Sequence, residues 1–272
     1  MDLRGLFDLQ AHGSDTFVGT GPQYPWGGLY GGQIVAQALR AATMTVEADL
    51  EPHSLRAYFI RKGDATEPIR FEVDRIRNGK SFATRRVVSR QSGGVILNLE
   101  ASFQRAEAAA DLQTVPMALD VPSPDDLDGS SWTESFERRW VPADHLGGPT
   151  RTGAGRTAAW MKVNGDLGDD QLIHRCWLAY LSDDLPTDSV VHAHPARRET
   201  DEHPMMQFFA ASLDHTVWFH RPVRVDQWHL HDFTCHNYIG GRGLSIGHIF
   251  AHDGTHVATV AQEVLMRERR PA

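Results

Sequence analysis

Two neighbouring carboxylates, Asp183 and Asp184, close an apolar helical pattern in the second half of the chain. Leu172, Cys176, Ala179 and Asp183 fall on one stripe, at steps of four, three and four residues. Ile173, Trp177 and Tyr180 lead to Asp184 on the adjacent stripe. A carboxylate that ends an apolar face is partly withdrawn from water, which raises its pKa and makes it a better base near neutrality. Spacing does not choose between the two, and an acid pair feeding a loop is the plain structural alternative. A second chemical feature is Gly31-Gly32, preceded by Trp26-Gly27-Gly28. Glycines at a helix start leave the first amide N–H groups uncovered at the positive end of the helix dipole. A polarised carbonyl oxygen could sit there, with Gly32 as the candidate donor to a developing oxyanion.

Other patterns imitate chemistry. Gly243-Leu244-Ser245-Ile246-Gly247 has the spacing of a nucleophile elbow, but that motif needs a strand, a sharp turn and a helix. Here Ile246 to Val260 continues as alternating strand with a turn at Asp253-Gly254, so a serine nucleophile is not expected. The chain has fifteen histidines, and His215, His220, His229, His231, His236, His248, His252 and His256 crowd its second half. His229 and His231 share a strand face, which is sterically compatible with a metal pair. With no His-x-x-x-His on a helix and no paired Cys, they read as solvent-facing strand residues, and neither a metal nor a cofactor is expected. His174 is the only helical histidine near the acid pair. It stands nine positions before Asp183 on another face, which disfavours a hydratase built on an Asp and a His of one helix.

The elements that must carry these residues follow from periodicity. Residues 29–44 form a helix that is apolar nearly all round, with Ile34, Ala38 and Ala41 on one stripe and Val35, Leu39 and Ala42 on the next. Such a helix must be buried, and Gln33, Gln37 and Arg40 are its only polar edge. Leu55, Ala57, Phe59 and then Ile69, Phe71, Val73 alternate with polar residues, and residues 82–89 and 95–103 read as a long hairpin between turns at Asn78-Gly79 and Ser92-Gly93-Gly94. A second helix spans residues 169–182, opened by aspartates that suit an N-terminus. Asp184 to Pro204 reads as a mobile stretch, Gly147 to Gly155 as a turn-rich loop, and 205–267 as strands. Tyr58, Trp218 and Phe219 read first as core.

The halves echo each other. Ser54-Leu55 to Phe59-Ile60-Arg61 matches Ser212-Leu213 to Phe219-His220-Arg221, Gly79-Lys80-Ser81-Phe82 matches Gly241-Arg242-Gly243-Leu244, and Val95 to Glu100 falls on Val257 to Gln262. An offset near 160 residues recurs throughout, the signature of a duplication. Composition shifts at Ala106 to Ser131, rich in small, acidic and Pro residues, which reads as an exposed linker. The expected division is 1–105, linker 106–131 and 132–272.

One buried helix wrapped by long antiparallel strands is the hotdog arrangement, and the chain resembles the type II acyl-CoA thioesterases, which are α+β double-hotdog enzymes. The resemblance lies in Leu29-Tyr30-Gly31-Gly32-Gln33, in His53-Ser54-Leu55 to Asp64, in Gly79-Lys80-Ser81-Phe82 and in Ala101-Ser102-Phe103-Gln104. It continues in Tyr180-Leu181-Ser182-Asp183, in Ser212-Leu213-Asp214-His215 to Pro222, and in Val260-Ala261-Gln262-Glu263. It implies that Asp183, Ser212 and Gln262 hold and activate one water against the thioester of a fatty acyl-CoA, with no covalent intermediate. Many relatives carry Thr where this chain has Ser212. The same chemistry without turnover, an acyl-CoA-binding protein, is the alternative reading.

The 272 residues carry a net charge of −8, which argues against non-specific nucleic-acid binding. The hydrophobic share of 41% suffices for real cores. No apolar run approaches the roughly 20 residues of a membrane span, and Met1 to Asp8 is too short and acidic for a secretion signal. Cys176 and Cys235 make no disulfide framework. A cytoplasmic setting is expected, and so is a homo-oligomer, dimer or tetramer, because fused hotdogs often associate further.

Overall fold

In this computed structural model the described residues are 3, 5–118, 120–146, 155–197 and 204–269. The first half contains strands β1 (Gln10–Ala11) and β2 (Thr16–Gly19), helix α1 (Gly31–Thr43), and strands β3 (Leu50–Phe59), β4 (Ile69–Asn78), β5 (Phe82–Gln91) and β6 (Gly94–Arg105). The second begins with β7 (Phe136–Trp140), β8 (Arg156–Val163), helix α2 (Gln171–Leu181) and helix α3 (Pro186–Ala193). It ends with β9 (Phe208–Ser212), β10 (Asp214–Phe219), β11 (His229–Ile239), β12 (Arg242–Ala251) and β13 (His256–Glu268).

All strands join one antiparallel sheet in the order β1-β2-β4-β5-β6-β3-β10-β13-β12-β11-β8-β7, with β9 also on β13. The order is a palindrome of equivalent strands about the β3–β10 seam. There Arg56 lies opposite Thr216 and Leu55 opposite Val217. Arg56 and Thr216 are 160 residues apart, so the pseudo-twofold axis of the duplication passes through that pair. Each half would leave an unpaired edge alone, and the seam removes both edges.

Helix α1 is enclosed as its composition requires, with Val35, Ala36, Ala38, Leu39, Ala41 and Ala42 fully buried. Its expected polar edge is buried too. Gln33 and Gln37 are inaccessible because each finds partners inside. Gln37 donates to the Leu6 and Thr20 carbonyls at 2.8 and 2.7 Å, and the Tyr24 hydroxyl donates to Gln33 at 2.6 Å. These bonds dock the entry segment on the helix. Helix α2 starts at Asp170, whose side chain caps the Leu172 amide at 3.0 Å, and it buries Cys176. Helices α1 and α2 pack against each other, and one core cluster runs through both halves.

Three expectations change. The stretch after Asp184 is not open chain, because Pro186 starts helix α3 and Val190 and Val191 are buried. Residues 198–203 of that stretch, like 147–154 of the glycine-rich loop, lie outside the described residues. The linker is exposed along most of its length, as expected, but it is not free chain. Gln113 is tied to Gly254 and His256, and Val115, Met117, Val121 and Leu127 pack on a satellite cluster with Trp160 and Phe250. Phe219 is core, but Tyr58 stands exposed on the outer face.

Candidate active site

The C-terminus of α2 is aimed at the N-terminus of α1. The approach is so close that a Cβ on Gly32 would lie 2.2 Å from the Tyr180 carbonyl oxygen, and one on Gly31 would lie 2.5 Å from the Asp183 carboxylate. Two glycines are therefore required for contact, although neither has an unusual φ. The Tyr30 hydroxyl locks the junction by donating to the Tyr180 carbonyl at 2.9 Å.

Asp183, one residue past the helix cap at Ser182, is only 7% exposed. Ser212, at the last position of β9, donates its hydroxyl to the Asp183 carboxylate at 3.3 Å. Gln262 reaches in from β13 and donates its amide to the Ser212 oxygen at 2.8 Å. Three side chains from a helix end and two strands thus converge, and half-buried Ser212 stands nearest to solvent. Burial pushes the Asp183 carboxyl up to about 7, partly offset by hydrogen bonding from Gln262, Ser212 and the Gly32 amide. A carboxyl titrating there is half in its basic form at neutral pH, the condition for taking a proton from water.

The geometry separates the two acids that spacing could not. Asp184 faces away, accepting from the Trp132 indole N–H at 2.7 Å and pairing with the Arg138 guanidinium at 2.5 Å. Its charge is already neutralised inside the fold. Gly32 also has a more specific place than expected. Its amide faces the Asp183 carboxylate and helps to hold that group's pKa down. Tyr24, Trp26, Tyr30, Trp132 and Tyr180 form an edge-to-face aromatic wall beside the junction.

Ser245 sits mid-strand in β12, with its hydroxyl 2.7 Å from that of Ser189. No turn or helix follows it, so the elbow pattern carries no nucleophile. The histidines divide: His220, His236 and His252 are exposed, but His215, His229 and His231 are fully buried. Reading the last three as solvent-facing was wrong. They share strand faces with Val217 and Phe233, and that two-residue parity was the available signal. No group of three or more His, Cys, Asp or Glu among the described residues is arranged to hold a metal ion. His174 is held between the Gly168 carbonyl and the Val225 amide, away from Asp183.

A palindromic sheet around paired helices is the double-hotdog class of fold. The profile of the acyl-CoA thioesterase N-terminal domain matches residues 21–104, and that of the C-terminal domain matches residues 110–266. Acyl-CoA thioesterase 2 of Haemophilus influenzae is 35% identical over 261 residues, covering 88% of this chain and 87% of that one. Acyl-coenzyme A thioesterase 8 of Mus musculus is 33% identical, covering 88% and 80%. The crystal structure of an acyl-CoA thioesterase II from Mycobacterium marinum superposes with a TM-score of 0.86 at 35% identity, covering 100% of this chain and 99% of that one. The chain belongs to the acyl-CoA thioesterase family, and its reaction class is thioester hydrolysis.

Proposed function

We propose that the chain hydrolyses fatty acyl-CoA to the free fatty acid and CoA, with one water activated jointly by Asp183, Ser212 and Gln262. Asp183 takes a proton as the water oxygen attacks the thioester carbonyl. Ser212 and Gln262 fix the direction of that oxygen, and the CoA thiolate leaves as the tetrahedral centre collapses. No enzyme-bound acyl group forms. Gly32 keeps the base in place through its amide. The other first-turn amides of α1, those of Gly31 and Gln33, have no intrahelical acceptor by position and receive the carbonyl oxygen. The observation that carries this reading is the convergence on one buried carboxylate of Ser212 at 3.3 Å, with Gln262 at 2.8 Å behind it.

The test is thiol release across acyl-CoAs of graded chain length, on wild type and Asp183→Asn. Turnover by wild type, with a loss of roughly 10²- to 10⁴-fold in the variant and acyl-CoA binding retained, is expected. Binding with no turnover at any chain length would instead make this an acyl-CoA-binding protein.

No helix among the described residues is long and apolar enough to cross a membrane. We further propose a cytoplasmic setting, supported by the two unpaired thiols of Cys176 and Cys235, and a homo-oligomer, supported by Tyr58, Ile60 and Phe209 standing exposed. Cell fractionation and light scattering test these; recovery with a membrane or secreted fraction, or a monomer at assay concentration, would reject them.

A further inference from the structure

His215 has no part in the chemistry described above, yet its ring touches that chemistry through one side chain. It is fully buried on β10. Its Nδ1 lies 2.5 Å from the Gln262 amide oxygen, and its Nε2 lies 2.9 Å from the Ser182 hydroxyl, one residue before Asp183. The directions of these bonds are fixed from the far end. Gln262 uses its NH2 to donate to Ser212, so its oxygen faces the imidazole, and an amide oxygen can only accept. Nδ1 must then carry the proton, which leaves Nε2 a bare acceptor. The Ser182 hydroxyl has one proton and a second acceptor in the Ala179 carbonyl at 3.0 Å, but it gives that proton to Nε2 at 2.9 Å, because otherwise two lone pairs would face each other. One chain of donors results: Ser182 to His215, His215 to Gln262, Gln262 to Ser212, and Ser212 to Asp183. It leaves the backbone at Ser182 and returns to it at Asp183.

A glutamine amide is nearly symmetric in shape, and rotation by half a turn exchanges its oxygen and its NH2. In the flipped form the oxygen would face Ser212, leaving that hydroxyl without its donor, and the NH2 would oppose the imidazole N–H. We propose that His215 is the positioning residue that selects the productive orientation of the Gln262 amide, with Ser182 selecting the tautomer that lets it do so. His215 neither meets the substrate nor moves a proton. Burial keeps its ring neutral, with the pKa pushed down to about 4, so this orienting contact persists across the range in which Asp183 titrates. The proposal rests on the Asp183–Ser212–Gln262 reading.

The experiment compares His215→Leu, His215→Asn, Ser182→Ala and Gln262→Ala, and each His215 variant combined with Gln262→Ala, by steady-state thiol release with pH profiles. Leucine is the residue at the equivalent position of the first half, Leu55. Asparagine restores a donor close to the place of Nδ1. Expected for His215→Leu is a fall in kcat of roughly 10²-fold, the scale of a misplaced catalytic group, with KM little changed. Because the Gln262 contact lowers the Asp183 pKa, loosening it moves the acid limb of the profile to higher pH. Asp184, which acts on that carboxylate through its charge alone, and Tyr30, Ser212 and Gly32 beside it, stay in place. His215→Asn should recover most of the rate, Ser182→Ala should show a smaller loss of the same kind, and neither His215 change should cost more once Gln262 is alanine. An impaired Gln262→Ala beside an unimpaired His215→Leu overturns this proposal alone. A Gln262→Ala variant with wild-type kcat overturns the site reading, and this proposal with it. Equal losses from His215→Leu in both backgrounds would make His215 merely structural. If His215→Leu does not fold, His215→Asn and Ser182→Ala decide by the same criteria, and an unchanged kcat and acid limb in Ser182→Ala overturns the proposal.

Discussion

On the inner face of the first half, the positions related by the pseudo-twofold axis hold Pro52, Leu55, Ala101 and Arg85; in the second half they hold Ser212, His215, Gln262 and Ser245, so strand register corrects the expected match of Gln262 with Glu100 by one residue. Arg85 lies opposite Ala101 as Ser245 lies opposite Gln262. The first half fills its cleft with a buried guanidinium, bonded to the Thr45 hydroxyl at 2.7 Å, to Asn78 at 2.7 Å, and to the Arg77 and Thr45 carbonyls at 2.9 Å each. All of these acceptors are neutral, and burial lowers the Arg85 pKa. The second half keeps small and amide side chains there, which leaves room for a carboxylate and a water. The strand next out differs as well: Ile69 and Phe71 on β4 stand where β11 has His229 and His231. Duplication supplied two equivalent clefts, and on the proposed reading only the second carries a base. The first is filled by packing, and the first half lends the site the start of α1, residues 31–33.

That asymmetry can be broken from the first half. Gly31→Ala puts a Cβ against the Asp183 carboxylate, so kcat should fall by about 10²-fold although the substituted residue belongs to the non-catalytic half. Thiol release on protein with a wild-type circular-dichroism spectrum checks this, and an unchanged rate would separate the two helix ends. Arg85→Met sharpens the contrast. It leaves the Thr45 and Asn78 oxygens without their donor and should lower stability by about 1–3 kcal/mol, read by urea unfolding, with kcat per folded molecule unchanged. A matching loss of kcat would mean that the first cleft takes part in catalysis.

The smallest expected effect concerns the histidine pair. Both Nδ1 and Nε2 of His231 and the Nε2 of His229 are buried without a partner. Burial holds both pKa values below the ordinary 6.5, that of His229 at about 4. In the unfolded chain these rings take protons below about 6.5, and in the folded one they do not. Stability is therefore full above that pH and drains away as pH falls towards 4. His231→Phe, which copies Phe71 of the first half, should flatten the decline in melting temperature over that window. An equally steep decline would place the acid sensitivity elsewhere.

Much of this was legible in the sequence, unevenly. Helix α1 could be read because a thin apolar cylinder has nowhere to go but inside, and the repeat could be read because turns recur with the same spacing. The burial of Gln33 and Gln37 was not legible as such, because their internal acceptors, the Leu6 and Thr20 carbonyls among them, are remote in sequence. Asp183 was reachable from its stripe, but its distinction from Asp184 needed the partners Ser212 and Arg138, which are remote in sequence. Ser212 and Gln262 carried no local signal beyond motif resemblance. Gln262 does share strand parity with buried Val260 and Val264, and His215 shares it with Val217. A polar residue in phase with a core face is the pattern that would have marked both.

The most direct test of a water-activating Asp183 is the pH dependence of kcat for wild type and Asp183→Asn. Because the base must be deprotonated, the wild-type rate should rise with pH through a limb near 7 and then level off, and the residual rate of Asp183→Asn should show no limb there. A wild-type profile flat from pH 5 to 9, or a limb near 7 that survives in the variant, would contradict the account.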